Sequence, residues 1–370
     1  MNIALRSGAV ASAAALTLLL SACSASNEAD STTSATSDAM MTLSGELNGA
    51  GASTQQVAME AWRAKFQTAN PDLTINYDPV GSGGGRTAFL DGSVAWAGSD
   101  AALGDDEYVT AQTRCGADGA INLPVYVSPV AVAFNLDGID TLNMDAATIA
   151  SIFDGKITQW NDAAIADQNS GVALPDAAIT IVHRSDESGT TKNFTDYLAK
   201  ASDGAWPYDA SGDWANDLGE SGQGTSGVVQ ILTSTTGTIG YADESQVGGL
   251  GVVSVKVGDS YNAPSAEGAA IALEASTPAG KNGPNDLAYS LDRTTTAAGA
   301  YPVMLSSYVI VCQKYDDAAV AANVTSFLEY VASQDGQAAA AETAGSAPIS
   351  PELSDKIVSI LQGIATASGV

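Results

Sequence analysis

Residues 181–190 bring together the side chains best suited to chemistry. The apolar run Ile179, Ile181 and Val182 ends at His183 and Arg184. Asp186 follows, then Ser188, Gly189 and Thr190, then a helix-like stretch. This order places a cation, two hydroxyls and unpaired backbone N–H groups at one point. The first N–H groups of a helix lack intrahelical partners and the helix dipole favours negative charge there, so such a start is an anion site. Arg184 adds a planar fork of donors suited to oxyanions. The same inventory excludes other chemistry. The chain has one histidine, His183, so a zinc site built on two or three histidines is impossible, and a Ser-His-Asp triad could use only that residue. No G-x-S-x-G elbow and no G-x-x-x-x-G-K-[ST] loop occurs. His183 reads as a strand-end residue rather than a base.

The elements that must position these groups alternate. Residues 43–48 read as a strand, 49–54 as a turn with Ser53 or Thr54 as N-cap, and a helix then runs to about residue 67 with Val57, Ala61, Trp62 and Phe66 on one face. Residues 73–77 form a second strand, 81–86 a glycine-rich turn, and 94–98 a short strand delivering Ser99 and Asp100. Residues 122–134 form a long β-like run containing Pro124 and Pro129, a candidate crossover; 301–311 is the strongest late strand and a candidate return. Helices are expected over 146–153, around Val228, Ile231 and Leu232, and twice near the C-terminus. One of the last two carries Val320, Val324, Phe327, Leu328 and Val331; the other carries Leu353, Ile357, Ile360, Leu361 and Ile364. The pattern is α/β with a mainly parallel sheet. Ligands of such sheets bind at the carboxyl ends of strands. Ser53, Thr54, Ser82, Asp100 and the 184–190 segment all follow predicted strands. Trp62, Trp96 and Trp160 read as core, and 156–162 as a loop.

Length allows two domains. Residues 1–22 have the form of a secretory signal, with Arg6 ahead of an apolar stretch. That stretch ends Leu20-Ser21-Ala22-Cys23, which resembles a bacterial lipobox and implies lipidation of Cys23. Residues 23–42 read as a flexible tether. Removal of Cys23 from the count leaves Cys115 and Cys312, and two cysteines in an exported chain suggest one disulfide. The net charge is −28; without the signal's arginine, 13 cations face 42 acids, a balance of −29. A field of that sign argues against nucleic acid or an anionic membrane surface as a partner. It also repels an anion at long range, so affinity must come from short hydrogen bonds in a shielded cleft.

Several runs occur together in order: NGAGAS at 48–53, GSGGG at 81–85, AGSD at 97–100, IFDGKITQWND at 152–162 and HRSDESGT at 183–190. In these the chain resembles the phosphate-binding proteins of bacterial phosphate ABC transporters, the PstS family. The resemblance runs from about residue 43 to the C-terminus. It implies the two-lobed type II periplasmic-binding-protein fold, with two crossover strands and a ligand cleft between the lobes. Lobe one would be 43–125 plus 301–370, and lobe two 126–300. It further implies phosphate contacts from Ser53, the N–H of Thr54, Ser82 and Asp100 on one face, and from Arg184, Ser188, Gly189 and Thr190 on the other. Asp186 would position Arg184. Many members have Thr-Phe where this chain has Ser53-Thr54. Cys115 and Cys312 would lie in lobe one near the hinge, and Arg86 reads as structural or surface rather than ligand-binding.

On that reading Asp100 accepts the P–O–H proton of phosphate, which fully ionised sulfate lacks. An unpaired buried polar group can cost roughly 10⁴-fold in affinity. The expected protein is a lipid-anchored, monomeric, extracytoplasmic carrier without metal or cofactor, delivering inorganic phosphate to a membrane permease and ATPase. The alternatives are a carrier for sulfate or molybdate, a secreted phosphatase-like or serine hydrolase, and a surface adhesin.

Overall fold

The strand Gly45–Gly51 lies parallel to Leu73–Asp78 on one side and to Trp96–Ser99 on the other. The computed structural model describes residues 42–370; the signal segment 1–22, Cys23 and the tether up to residue 41 lie outside the described residues. From Trp96–Ser99 the sheet continues antiparallel to Met304–Cys312, then antiparallel to Ala120–Asn135. That strand is 16 residues long and changes partner along its length. Residues Ala120 to Pro129 pair with Met304–Cys312, whereas Val130 to Asn135 pair with Thr238–Asp243. Beyond it, Thr180–Arg184 runs parallel to both Thr238–Asp243 and Glu220–Gly222. Gly251–Val257 also pairs with the long strand, and carries Thr141–Met144 in parallel register.

The sheet is therefore mixed, not mainly parallel. Parallel groups at its ends are joined through antiparallel pairings in the middle, because the two long strands run in opposite directions between the groups. Proline is tolerated there for a local reason. The register shifts between Ser307 and Tyr308, opposite Pro124 to Tyr126, so the missing N–H of Pro124 falls at a bulge instead of interrupting a regular ladder.

Helix Gln56–Ala69 buries Ala58, Met59, Trp62 and Phe66. Ser53 and Thr54 do not cap it; Ser53–Gln55 forms a 3₁₀ turn ahead of it. The glycine run at 81–85 is not a turn either. Helix Ser82–Leu90 begins inside it, after Gly81 at φ +90°. The glycines permit close approach: a Cβ on Gly85 would lie 2.3 Å from the Cα of Gly51, so any larger residue would lift this helix off the sheet. The C-terminal segment holds three helices, Ala318–Ala332, Gln334–Ala344 and Pro351–Ala367, where two are expected. The middle one buries Gly336, Gln337, Ala339, Ala340 and Ala344. Small residues make no apolar stripe; the helix is fixed by the Trp62 indole, which donates to the Gly336 carbonyl at 2.7 Å, and by Gln337, whose amide donates to the Val125 carbonyl at 2.9 Å.

Trp62, Trp96 and Trp160 are fully buried. Cys115, at the end of helix Asp105–Cys115, forms a disulfide with Cys312, at the end of Met304–Cys312; their Cα atoms are 5.2 Å apart. The described residues form one compact unit. Among the described residues no helix is long and apolar enough to cross a membrane.

Candidate functional site

Three strand ends and two helix starts meet at one place. Gly45–Gly51 leads to Ser53 and Thr54, and Trp96–Ser99 to Asp100. Thr180–Arg184 ends in Arg184 itself, and helix Gly189–Ala201 starts close behind. Ser82 opens its own helix beside them. All the candidate ligand residues are buried, with Asp100 and Arg184 each only 3% exposed.

Asp100 is the centre. Its Oδ1 accepts from the Thr54 hydroxyl at 2.6 Å and the Ser307 hydroxyl at 2.7 Å; its Oδ2 accepts from Thr190 at 3.1 Å. Burial pushes the Asp100 pKa up. The hydroxyls of Thr54, Ser307 and Thr190 and the charge of Arg184 pull it back, leaving it raised overall. Thr190 also lies 3.5 Å from Nη1 of Arg184, so one hydroxyl separates the site's cation from its carboxylate.

Arg184 is held from behind. Its Nε donates to Asp186 Oδ1 at 2.8 Å and its Nη2 to Asp186 Oδ2, a fork on a fork. The N–H of Gly224 donates to the same carboxylate at 3.0 Å. Burial alone would raise the Asp186 pKa, but the Arg184 guanidinium outweighs it and holds the carboxyl below its usual range. A guanidinium has five N–H donors. With the Asp186 bonds made, the Nη1 side remains for a ligand.

Three serines have their acceptor lone pairs engaged by backbone donors. Ser82 Oγ accepts from the Asp100 N–H at 3.1 Å, Ser188 Oγ from Thr191 at 3.2 Å, and Ser53 Oγ from Thr225 at 3.1 Å. A hydroxyl with an occupied acceptor side offers its proton elsewhere, which makes it a directed donor. Ser188 is thus also the N-cap of its helix. Gly189 is required by proximity: a Cβ there would lie 2.5 Å from Ser82 Oγ and 2.7 Å from Asp100 Cβ.

The structure therefore brings together Ser53, Thr54, Ser82, Asp100, Arg184, Asp186, Ser188, Gly189 and Thr190. It also adds residues that sequence reasoning missed. Ser307 comes from the return strand, hidden inside a run read only as β. Thr225 follows Gly222-Gln223-Gly224, another glycine turn after a strand, and that signal was available. Asn193 donates to the Asp100 carbonyl at 2.7 Å. The Ser53-Thr54 departure acquires a purpose, since the Thr54 hydroxyl is one of the donors to Asp100. His183 stands outside the cluster, stacked on Trp214 at 4.9 Å with Nδ1 against the Arg184 carbonyl; burial lowers its pKa. Among the described residues no group of three His, Cys, Asp or Glu side chains is placed to hold a metal ion.

Beside Asp100 lies a cavity of about 320 Å³ whose lining includes Lys192, Lys200, Lys281 and Arg293. Four of the chain's 14 cations thus gather at one opening, against the sign of the whole-molecule field. Arg293 and Lys200 share Asp196, and Lys281 pairs with Asp105, which leaves Lys192 without a carboxylate partner among the described residues.

A family model for the PBP superfamily domain matches residues 26–335. The phosphate-binding protein PstS 3 of Mycobacterium leprae is 36% identical over 323 residues, covering 84% of this chain and 86% of that protein. The chain belongs to the PstS family of phosphate-binding proteins. Another member, the phosphate-binding protein PstS2 of Mycobacterium bovis, is 35% identical over 337 residues, covering 88% of this chain and 90% of its own. Among solved structures, a high-affinity periplasmic phosphate-binding protein bound with phosphate superposes with a TM-score of 0.67. It shares 24% identity and covers 85% of this chain and 93% of its own. The fold is accordingly the two-lobed type II α/β architecture.

Proposed function

We propose that this protein captures inorganic phosphate outside the cytoplasm and delivers it to the permease and ATPase of an ABC importer. The observation that carries the reading is Asp100: a buried carboxylate acceptor, one hydroxyl away from a buried arginine, beside the hydroxyls of Ser82 and Ser188, which accept from backbone N–H groups and keep their own protons to donate. Many donors around a single acceptor suit an oxyanion that still carries a proton. The ligand set is Ser53, the N–H of Thr54, Ser82, Asp100, Arg184, Ser188, and the N–H groups of Gly189 and Thr190, with Asp186 orienting Arg184. Hydrogen bonds to charged groups contribute about 1.5–3 kcal/mol each. Several of them reach micromolar binding, about −8 kcal/mol, after ordering costs. The phosphate-binding names of the relatives favour the same ligand.

Nothing in this set performs chemistry, and the protein acts as a carrier rather than an enzyme. The two lobes are residues 43–125 plus 301–370, and 126–300. The long strand changes partner at Pro129–Val130, a few residues past the first of these boundaries, which favours a division close to it. Lipidation at Cys23 would tether a monomer to the cell membrane. Isothermal titration of phosphate-stripped protein tests the ligand. Tight one-to-one phosphate binding that excess sulfate does not compete is expected. Tight sulfate binding would replace the ligand while keeping the fold, and no binding of either would refute the carrier reading.

A further inference from the structure

Arg86 and Glu187 lie outside the proposed ligand set, yet they join the two segments that bear it. Arg86 sits on helix Ser82–Leu90, four residues after Ser82; Glu187 immediately precedes Ser188. Arg86 Nη2 reaches Glu187 Oε1 at 3.1 Å across a sequence separation of 101 residues. On the near side Nε holds Glu107 Oε1 at 2.8 Å and Nη1 donates to Ser99 Oγ at 3.2 Å. The guanidinium is buried, with a side chain 9% exposed. Burial opposes its charge, but Glu187 and Glu107 outweigh that and raise its pKa. Access for Glu187 depends on two glycines, one from each segment it lies between. A Cβ on Gly83 would lie 2.0 Å from Glu187 Oε2, and one on Gly212 would lie 2.2 Å from Oε1. Both sides of the cleft are thus cut back to let this one carboxylate through.

We propose that Glu187 is a positioning residue for ligand retention: with Arg86 it forms a latch that closes the cleft over the anion without touching it. The inference rests on the phosphate-carrier reading. Glu107 and Ser99 hold Arg86 on its own lobe whether the cleft is open or shut. The Glu187 bond forms only when the 82–90 helix and the 184–190 segment meet, so its free energy belongs wholly to the closed state. A contact of that kind raises affinity by shifting the open–closed equilibrium. It slows escape and leaves encounter unchanged, as truncation of one partner of a buried charge pair acts mainly on dissociation. Glu187 Oε2 is buried without a hydrogen-bond partner, which leaves the carboxylate dependent on Arg86 for compensation.

Stopped-flow association and dissociation of inorganic phosphate test this on wild type, Glu187→Gln and Glu107→Gln, alongside thermal melts without ligand. Glu187→Gln should release phosphate about 5- to 20-fold faster, with the association rate within about twofold of wild type, a scale between exposed and buried pairs that fits a buried Arg86 and a part-exposed Glu187. Its ligand-free melting temperature should not move, because the open protein lacks the contact. Glu107→Gln should not speed release, since Arg86 then turns wholly to Glu187. Unchanged release in Glu187→Gln, or equal acceleration in both variants, would overturn the latch. Failure of wild type itself to bind phosphate would instead overturn the carrier reading beneath it.

Discussion

Replacing Asp100 with Asn should convert a phosphate-selective site into a weak, unselective one. In the structure Oδ1 takes two hydroxyls, from Thr54 and Ser307, and Oδ2 takes only Thr190. The Asn carbonyl would keep the first pair, so the amide nitrogen falls at the Oδ2 position, where the Thr190 hydroxyl can turn to accept. Hydrogen bonds to a charged group contribute about 1.5–3 kcal/mol against about 0.5–1.5 for neutral ones, so at the midpoints of those ranges three weakened bonds cost about 4 kcal/mol. Removal of a buried charge offsets much of this, and the stability change should stay near 1 kcal/mol. Selectivity has no such offset. Phosphate loses a charged acceptor for its proton, about 1.5–3 kcal/mol, while sulfate gains an amide donor of similar worth in place of a facing carboxylate. The two shifts together amount to about 3–6 kcal/mol, so the ratio of sulfate to phosphate dissociation constants should fall by about 10²- to 10⁴-fold. Titration calorimetry with both anions measures that ratio, and a melting curve guards against unfolding. A ratio within threefold of wild type would refute the acceptor role of Asp100.

Arg184→Ala should weaken phosphate binding by about 3–5 kcal/mol, because it removes the site's cation and leaves Asp186 unpaired beneath it. Arg184→Lys should fall between, as an ammonium cannot span both Asp186 oxygens; titration of both variants checks this. Reduction of the Cys115–Cys312 bridge, which closes 197 residues of sequence, should lower stability by up to about 5 kcal/mol on the chain-entropy account while leaving the phosphate dissociation constant unchanged. Calorimetric melts with and without reductant test it. Asp243 is buried beside Tyr126 and Ser245, and burial pushes its carboxyl up to about 7. The folded state then binds a proton that the unfolded chain releases near 3.8, so stability falls as pH rises from about 4 to 7. Asp243→Asn cannot ionise and should remove up to about 4 kcal/mol of that loss; parallel slopes of stability against pH in the two proteins would exclude it.

Much of the site is readable along the chain because its parts are local. The 184–190 segment carries its own arginine, its orienting carboxylate Asp186, its N-cap Ser188 and its glycine, and a helix start points its N–H groups wherever it lies. Ser53, Ser82 and Asp100 are legible for a related reason, each following a short apolar run closed by glycine. Other features leave weaker traces. The helix at Gln334–Ala344 buries alanine and glycine, so periodicity analysis finds no stripe. The glycine run at 81–85 looks like a turn because intrinsic propensity disfavours glycine in helices, whereas packing against Gly51 demands it.

The sequence by itself determined the alternation of strand and helix, the clustering of hydroxyl, glycine and charged residues after strands, and the exclusion of a metal site built on two or three histidines. Those follow from residue type, spacing and local backbone geometry. Only the tertiary structure decided which hydroxyls face Asp100, that Ser307 and Thr225 join them from more than 170 residues away, and that Glu187 reaches Arg86 between two glycines. Each of these depends on two chain segments meeting at ångström range, and nothing in either segment's own pattern encodes the position of the other.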